Sequence, residues 1–123
     1  MRPGDKFDIF EYRMNPLSGI VRLRRRYSCV LKVVSNTKEG EYWVATGTQE
    51  DGDRSRKFTS NDIGRRFDDE VLYLLENSIS KASDVYIWYY DHAANYHRKK
   101  AEDYYSYVER IKAVQKRNEG DVK

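Results

Sequence analysis

A single cysteine, Cys29, and two prolines stand in a chain of 123 residues. One thiol cannot close an internal disulfide, and it excludes a zinc site built from several cysteines. Flanked by apolar positions in a strand-like run, Cys29 reads as a small buried hydrophobe. No apolar run approaches the roughly 18 residues of a membrane span, and the opening MRPGDKFDIF lacks an apolar signal segment, so a soluble cytoplasmic protein is expected. Charge of one sign is scarce as well: 23 basic residues against 20 acidic ones leave a net +3, too little for a general nucleic-acid coat. Residues 67–123 contain no proline, and no glycine before Gly120.

What the chain does hold is aromatic and charged. Aromatic residues make up 14% and charged residues 35%, which argues for one folded domain spanning 1–123. Residues 1–66 are rich in Val, Ile, Tyr, Thr and Gly, and they read as an antiparallel β-core. KFDIFEYRM (Lys6–Met14) alternates as a strand, and NPLSG (Asn15–Gly19) supplies turn residues. The run from Ile20 to Ser35 is long enough that a bend or bulge is expected. A turn at Asn36–Glu41, a strand at Tyr42–Gln49, a turn at Glu50–Ser55 and a short strand at Arg56–Ser60 complete a meander or partly open barrel.

The remainder reads as helix. A short helix is expected over 67–82, with Asp68, Asp69 and Glu70 at its N-terminal dipole and Val71, Leu72, Leu75 and Ile79 as its stripe. Ser83 or Asp84 then caps a long helix over 83–118, leaving 119–123 as a tail. Tyr86, Tyr90, Ala93, His97, Ala101, Tyr104, Val108 and Ile111 share one face of that helix. Val85, Trp88, His92, Asn95 and Lys99 form a second. Two such faces on one rod exceed what a small sheet can cover, so one is expected to meet another subunit. The fold class is therefore α+β, an antiparallel sheet followed by two helices with the last one interfacial.

Three constellations carry chemistry. In RLRRR, residues Arg22, Arg24 and Arg26 point one way along a strand, while Val21, Leu23, Tyr27, Cys29, Leu31 and Val33 point the other. Arg25 falls on the apolar side unless a bulge resets the register. The tract is either a solvated basic edge that deters strand aggregation or an anion cradle, since guanidinium forks match phosphate oxygens. On the helix, Trp88, His92 and Asn95 lie above one another at i, i+4 and i+7. Their indole face and amide suit an adenine base, whereas core and dimer packing is the plainer use of this aromatic run. At the chain's end, Lys116 and Arg117 suit the helix dipole. Arg110 sits further in, beside Tyr107, Ile111 and Val114, where it could reach a phosphate across an interface. Catalysis is not expected. His92 and His97 are five apart, off a shared metal-binding face; Gly64 stands alone rather than in a phosphate loop, and no nucleophile, base and acid set is spaced for the work. Neither metal nor cofactor is expected.

The order of these parts, with NPLSGIVRLRRR, YIWYYDHAAN and YVERIKAV, resembles the first-described family of Thoeris anti-defence proteins. These are phage sponges that sequester cyclic ADP-ribose signals made by bacterial TIR enzymes. The resemblance implies a non-enzymatic binder in the host bacterial cytoplasm, a homodimer or higher oligomer such as a hexamer paired through its helices, and a pocket between subunits. It implies Asn95 and one of Tyr86, Trp88 or Tyr89 for adenine, Arg110 with Arg24, Arg25 or Arg26 for the diphosphate, and Leu17 as a wall. It also implies a second basic site for cyclic oligonucleotides, the signals of CBASS immunity, at Arg56 or Lys57 beside Arg110. The competing expectation is a small phage barrel module that grips nucleic acid or a host nuclease, in the manner of an anti-CRISPR inhibitor.

Overall fold

The computed structural model describes residues 1–52, 54–64, 71–96 and 101–121, and their side chains except at 94–96, 101 and 119–121. The chain forms β1 (Lys6–Met14), β2 (Val21–Thr37), β3 (Gly40–Gln49), β4 (Ser55–Thr59), a 3-10 turn at Ser60–Asp62, β5 (Val71–Leu74), α1 (Ile79–Tyr96) and α2 (Ala101–Asp121). The architecture is α+β, with an open antiparallel sheet in the order β4-β3-β2-β1-β5 and two C-terminal helices.

The sheet curls without closing into a barrel. β4 and β5 are its opposite edges, yet the rings of Phe58 and Tyr73 meet with centroids 5.3 Å apart. A single bridge, Ile63 to Tyr73, links the segment after β4 to β5. Strand alternation divides the side chains between two cores. The concave face buries Ile9, Tyr27, Cys29, Leu31, Trp43, Ala45, Phe58, Val71 and Tyr73. The convex face buries Tyr12, Met14, Val21 and Leu72 against Ala82, Tyr86 and Tyr90 of α1 and Val108 and Ile111 of α2. Gly47 makes the concave packing possible: a Cβ there would lie 2.8 Å from the Phe58 ring and 2.9 Å from Cys29 Sγ.

β2 carries two bulges. Arg25 pairs with Glu11 but Leu23 with Tyr12, so Arg24 is the extra residue. Likewise Leu31 pairs with Ala45 and Val33 with Val44, leaving Lys32 as the second. Each bulge reverses which phase of the strand faces inward. Val21 therefore faces the helices while Tyr27, Cys29 and Leu31 face the concave core. Val33, expected among the buried residues, is half exposed, and Val34 packs on the core in its place.

The helical half departs from expectation. Where a short helix was expected over 67–82, Val71–Leu74 is a strand paired with Arg13–Phe10 of β1. A four-residue apolar run fits either structure, and pairing here satisfies the open edge of β1. The long helix expected over 83–118 is two antiparallel helices: Asp84 near the start of α1 accepts from Gln115 near the end of α2 at 2.9 Å, and Tyr90 packs on Tyr104 and Tyr107. α1 begins at Ile79, capped by Ser78, whose Oγ accepts from the Lys81 N–H at 3.2 Å. Ser83, an expected cap, is buried and donates to the Ile79 carbonyl at 2.8 Å. The expected tail is helical through Asp121. Residues Tyr86, Tyr90, Tyr104, Val108 and Ile111 do share a surface, as the seam where the two helices meet the sheet. Of the second face expected, Val85 packs on this core while Trp88 stays 58% exposed. His97, Lys99 and Asp68–Glu70 lie outside the described residues.

Candidate anion-binding site

The β1–β2 turn is built by Asn15. Its side-chain Oδ1 accepts from the Leu17 N–H at 2.9 Å and its carbonyl from the Gly19 N–H at 2.7 Å, as Asn does in turns where its side chain mimics backbone. Gly19 has φ +74° and lies flat against α2, where a Cβ would be 2.4 Å from the Arg110 carbonyl carbon. Arg110 donates to the Pro16 carbonyl at 2.7 Å. The turn is thus held against the helices from both sides.

At this end of the hairpin lies a cavity of about 710 Å³, inside the range of roughly 300–1,000 Å³ usual for small-molecule sites. Arg13, Arg22 and Arg24 line it together with Leu17 and Leu23. Leu17 is 82% exposed and gives this cavity an apolar edge beside the arginines.

A smaller cavity of about 270 Å³ opens at the mouth of the concave core, lined by Glu11, Arg13, Arg24, Arg25, Arg56 and Tyr73 with Val71. Arg13 and Arg24 border both cavities. The Arg56 guanidinium lies 5.0 Å from the Phe58 ring centre and 4.9 Å from that of Tyr73, and it donates to the Tyr73 hydroxyl. Glu11 is 5% exposed; its carboxylate accepts from the Tyr27 hydroxyl at 3.3 Å and stands 4.0 Å from Arg25. Burial, reinforced by the Glu11 charge and opposed by Arg56, pushes the Tyr73 phenol up to about 12. Burial and then the Asp8 charge push the Cys29 thiol up to about 11, the state of an inert structural cysteine.

The bulge at Arg24 turns Arg25 toward Glu11 and the smaller cavity. Arg26 lies on the other face, where Nε and Nη2 fork onto Asp8 Oδ2 at 3.1 and 2.8 Å and Glu50 stands 3.9 Å away. It is occupied by carboxylates. Tyr86 is 1% exposed and donates to the Tyr12 carbonyl at 3.1 Å, so it is a core residue and offers no ring to a base. Tyr89 is half-buried, edge-on to Tyr90. Trp88 is 58% exposed, its ring 4.4 Å from that of His92, whose Nδ1 sits 2.8 Å from the Trp88 carbonyl. The Asn95 side chain lies outside the described residues. Among the described residues, none of α1 or α2 lines either cavity. Arg56 faces the concave core and Arg110 belongs to the convex layer, so these two do not form one site within a chain; Lys57 points to the side of β4 opposite Arg56.

Sequence reasoning named Leu17, Arg24, Arg25 and Arg56 but passed over Glu11, Tyr27 and Tyr73. The available signal was Glu11 itself, a charged residue in the same strand phase as Phe7 and Ile9. Among the described residues, no group of three or more His, Cys, Asp or Glu side chains could hold a metal ion, and no helix is long and apolar enough to cross a membrane. No protein-family model, curated protein or solved structure matches the chain.

Proposed function

We propose that the protein binds and sequesters cyclic nucleotide immune signals without cleaving them, cyclic ADP-ribose isomers first and cyclic oligonucleotides second, and so blocks Thoeris and CBASS signalling in a phage-infected bacterium. The observation that carries this reading is the larger cavity, where Arg13, Arg22 and Arg24 stand beside exposed Leu17 and Leu23. A nucleotide-like ligand has the complementary halves. Its phosphate oxygens suit guanidinium forks, and its sugar and base edges suit leucine. Submicromolar affinity needs more than ~8 kcal/mol, within reach of several charge-assisted bonds and an apolar wall held by a rigid turn. In this reading the base-stacking ring is Trp88, exposed on one copy and brought to the cavity of another in a homodimer or higher oligomer.

Calorimetry with a cyclic ADP-ribose isomer tests the proposal. Submicromolar binding by the wild type, weakening of about tenfold or more in Arg24→Ala, and release of the ligand at unaltered mass after heat denaturation are the expected results. Equal affinity in the variant, or a changed mass, refutes it.

A second reading is favoured by a different observation. Because the cavities share Arg13 and Arg24, five arginines (13, 22, 24, 25 and 56) form a continuous band around the hairpin end. Such a band also suits a nucleic-acid backbone. A steep fall of oligonucleotide affinity with salt distinguishes this reading.

A further inference from the structure

We propose that the smaller cavity is a separate site for a tetrahedral oxyanion that still carries a proton, namely hydrogen phosphate or a protonated phosphate terminus, and that Glu11 selects it over sulfate. The charge balance points to an anion. Among the described residues, four arginines and one carboxylate line about 270 Å³, with Val71 the lone aliphatic contributor. So polar a lining suits a phosphate group and ill suits a base or sugar.

The site is also preorganised. Arg56 is laid against the rings of Phe58 and Tyr73 and tied to the Tyr73 hydroxyl. That bond uses one of the five N–H groups of a guanidinium, and among the described residues Arg56 makes no other hydrogen bond. Arg25 stands at Glu11, and Glu11 is itself held by the Tyr27 hydroxyl. Side chains fixed beforehand lose little entropy when an anion arrives.

The carboxylate supplies the selectivity. It has about four acceptor positions; the Tyr27 hydroxyl holds one at 3.3 Å, and the Arg25 guanidinium at 4.0 Å is an ion-pair contact beyond hydrogen-bond reach. Acceptor capacity is left for a hydrogen bond from a P–OH. Sulfate has no proton to give, so its oxygen would face a carboxylate oxygen without a hydrogen between them, and that contact repels.

Titration of the full chain with inorganic phosphate, sulfate and a nucleoside monophosphate at equal ionic strength tests this, with heat and 31P line width as readouts. No cyclic nucleotide is present, so the result stands apart from the sequestration reading. Phosphate is expected to bind at least about tenfold tighter than sulfate. At about pH 8, above the second pKa of about 6 of a phosphomonoester, only hydrogen phosphate keeps its proton and should bind better than the monoester. Arg25→Gln and Arg56→Gln should each weaken phosphate by about tenfold or more, and Glu11→Gln should bring sulfate level with phosphate. Arg25 is exposed, so its variant folds even if Glu11→Gln does not. Absence of saturable phosphate binding, equal binding of phosphate and sulfate by the wild type, or wild-type affinity in both arginine variants overturns the proposal.

Discussion

The guanidinium of Arg110 donates to the main-chain carbonyl of Pro16, bridging 94 positions of sequence at 2.7 Å. α2 thereby sets the position of the turn that walls the larger cavity. Arg110→Ala should lose about 1–3 kcal/mol, the range for a charged hydrogen bond, and should weaken ligand binding by loosening the turn. Arg110→Lys should recover part of both. Chemical denaturation alongside calorimetry checks this; a variant that loses affinity at full stability would make Arg110 a direct ligand contact instead.

Gly19 is the other half of that junction. Alanine there meets a positive φ and the backbone of Arg110 and Ile111 at 2.4–2.6 Å. The expected loss is about 2–4 kcal/mol from conformation and overpacking together. Gly40→Ala is the comparison: its φ is +125° but nothing lies within 4 Å, so it should lose only the conformational part, about 1–3 kcal/mol. Thermal denaturation should separate the two.

Tyr86→Phe distinguishes a core tyrosine from a stacking one. It removes the bond to the Tyr12 carbonyl and leaves the ring. Stability should fall by about 1 kcal/mol with ligand affinity unchanged. Trp88→Ala should show the converse, little change in stability and weaker ligand binding.

Alkaline pH should unfold the protein in a defined window. The thiol of Cys29 and the phenol of Tyr73 are raised in the fold to about 11 and about 12, from ordinary values of 9.0 and 10.0. The unfolded chain loses these protons first. Their contribution is therefore complete below pH 9 and declines as pH rises through 11 and then 12. Melting temperature followed across that range should drop, and Cys29→Ala should flatten the lower part of the decline.

Much of the meander was legible because its punctuation is local. NPLSG and TKEG carry turn residues between alternating strands, and β1 to β4 follow. β5 was hidden because Val71–Leu74 is equally apolar as helix or strand, and only the open edge of β1 decides between them. The helix pair was hidden for a similar reason. Its apolar positions keep one period through both halves, and neither proline nor glycine interrupts them, so the stripe is the same for one rod or a hairpin. Arg24, Arg25 and Arg26 could be flagged by charge, but their division among two cavities and an acidic pairing depends on a bulge that only cross-strand pairing reveals. Glu11 was overlooked because a lone acid in a strand is usually solvated, whereas the curl of the sheet brings Tyr27, Tyr73 and Arg56 around it.

β1 is bonded to β2 along its length and to β5 over Phe10–Arg13, and its side chains feed both cores. The amide protons of Phe10–Arg13, flanked by a strand on each side, reach deuterated solvent only when that pairing opens. The molecule should therefore have no half-melted state in which one layer survives, and Tyr12 should report the same opening free energy as global unfolding.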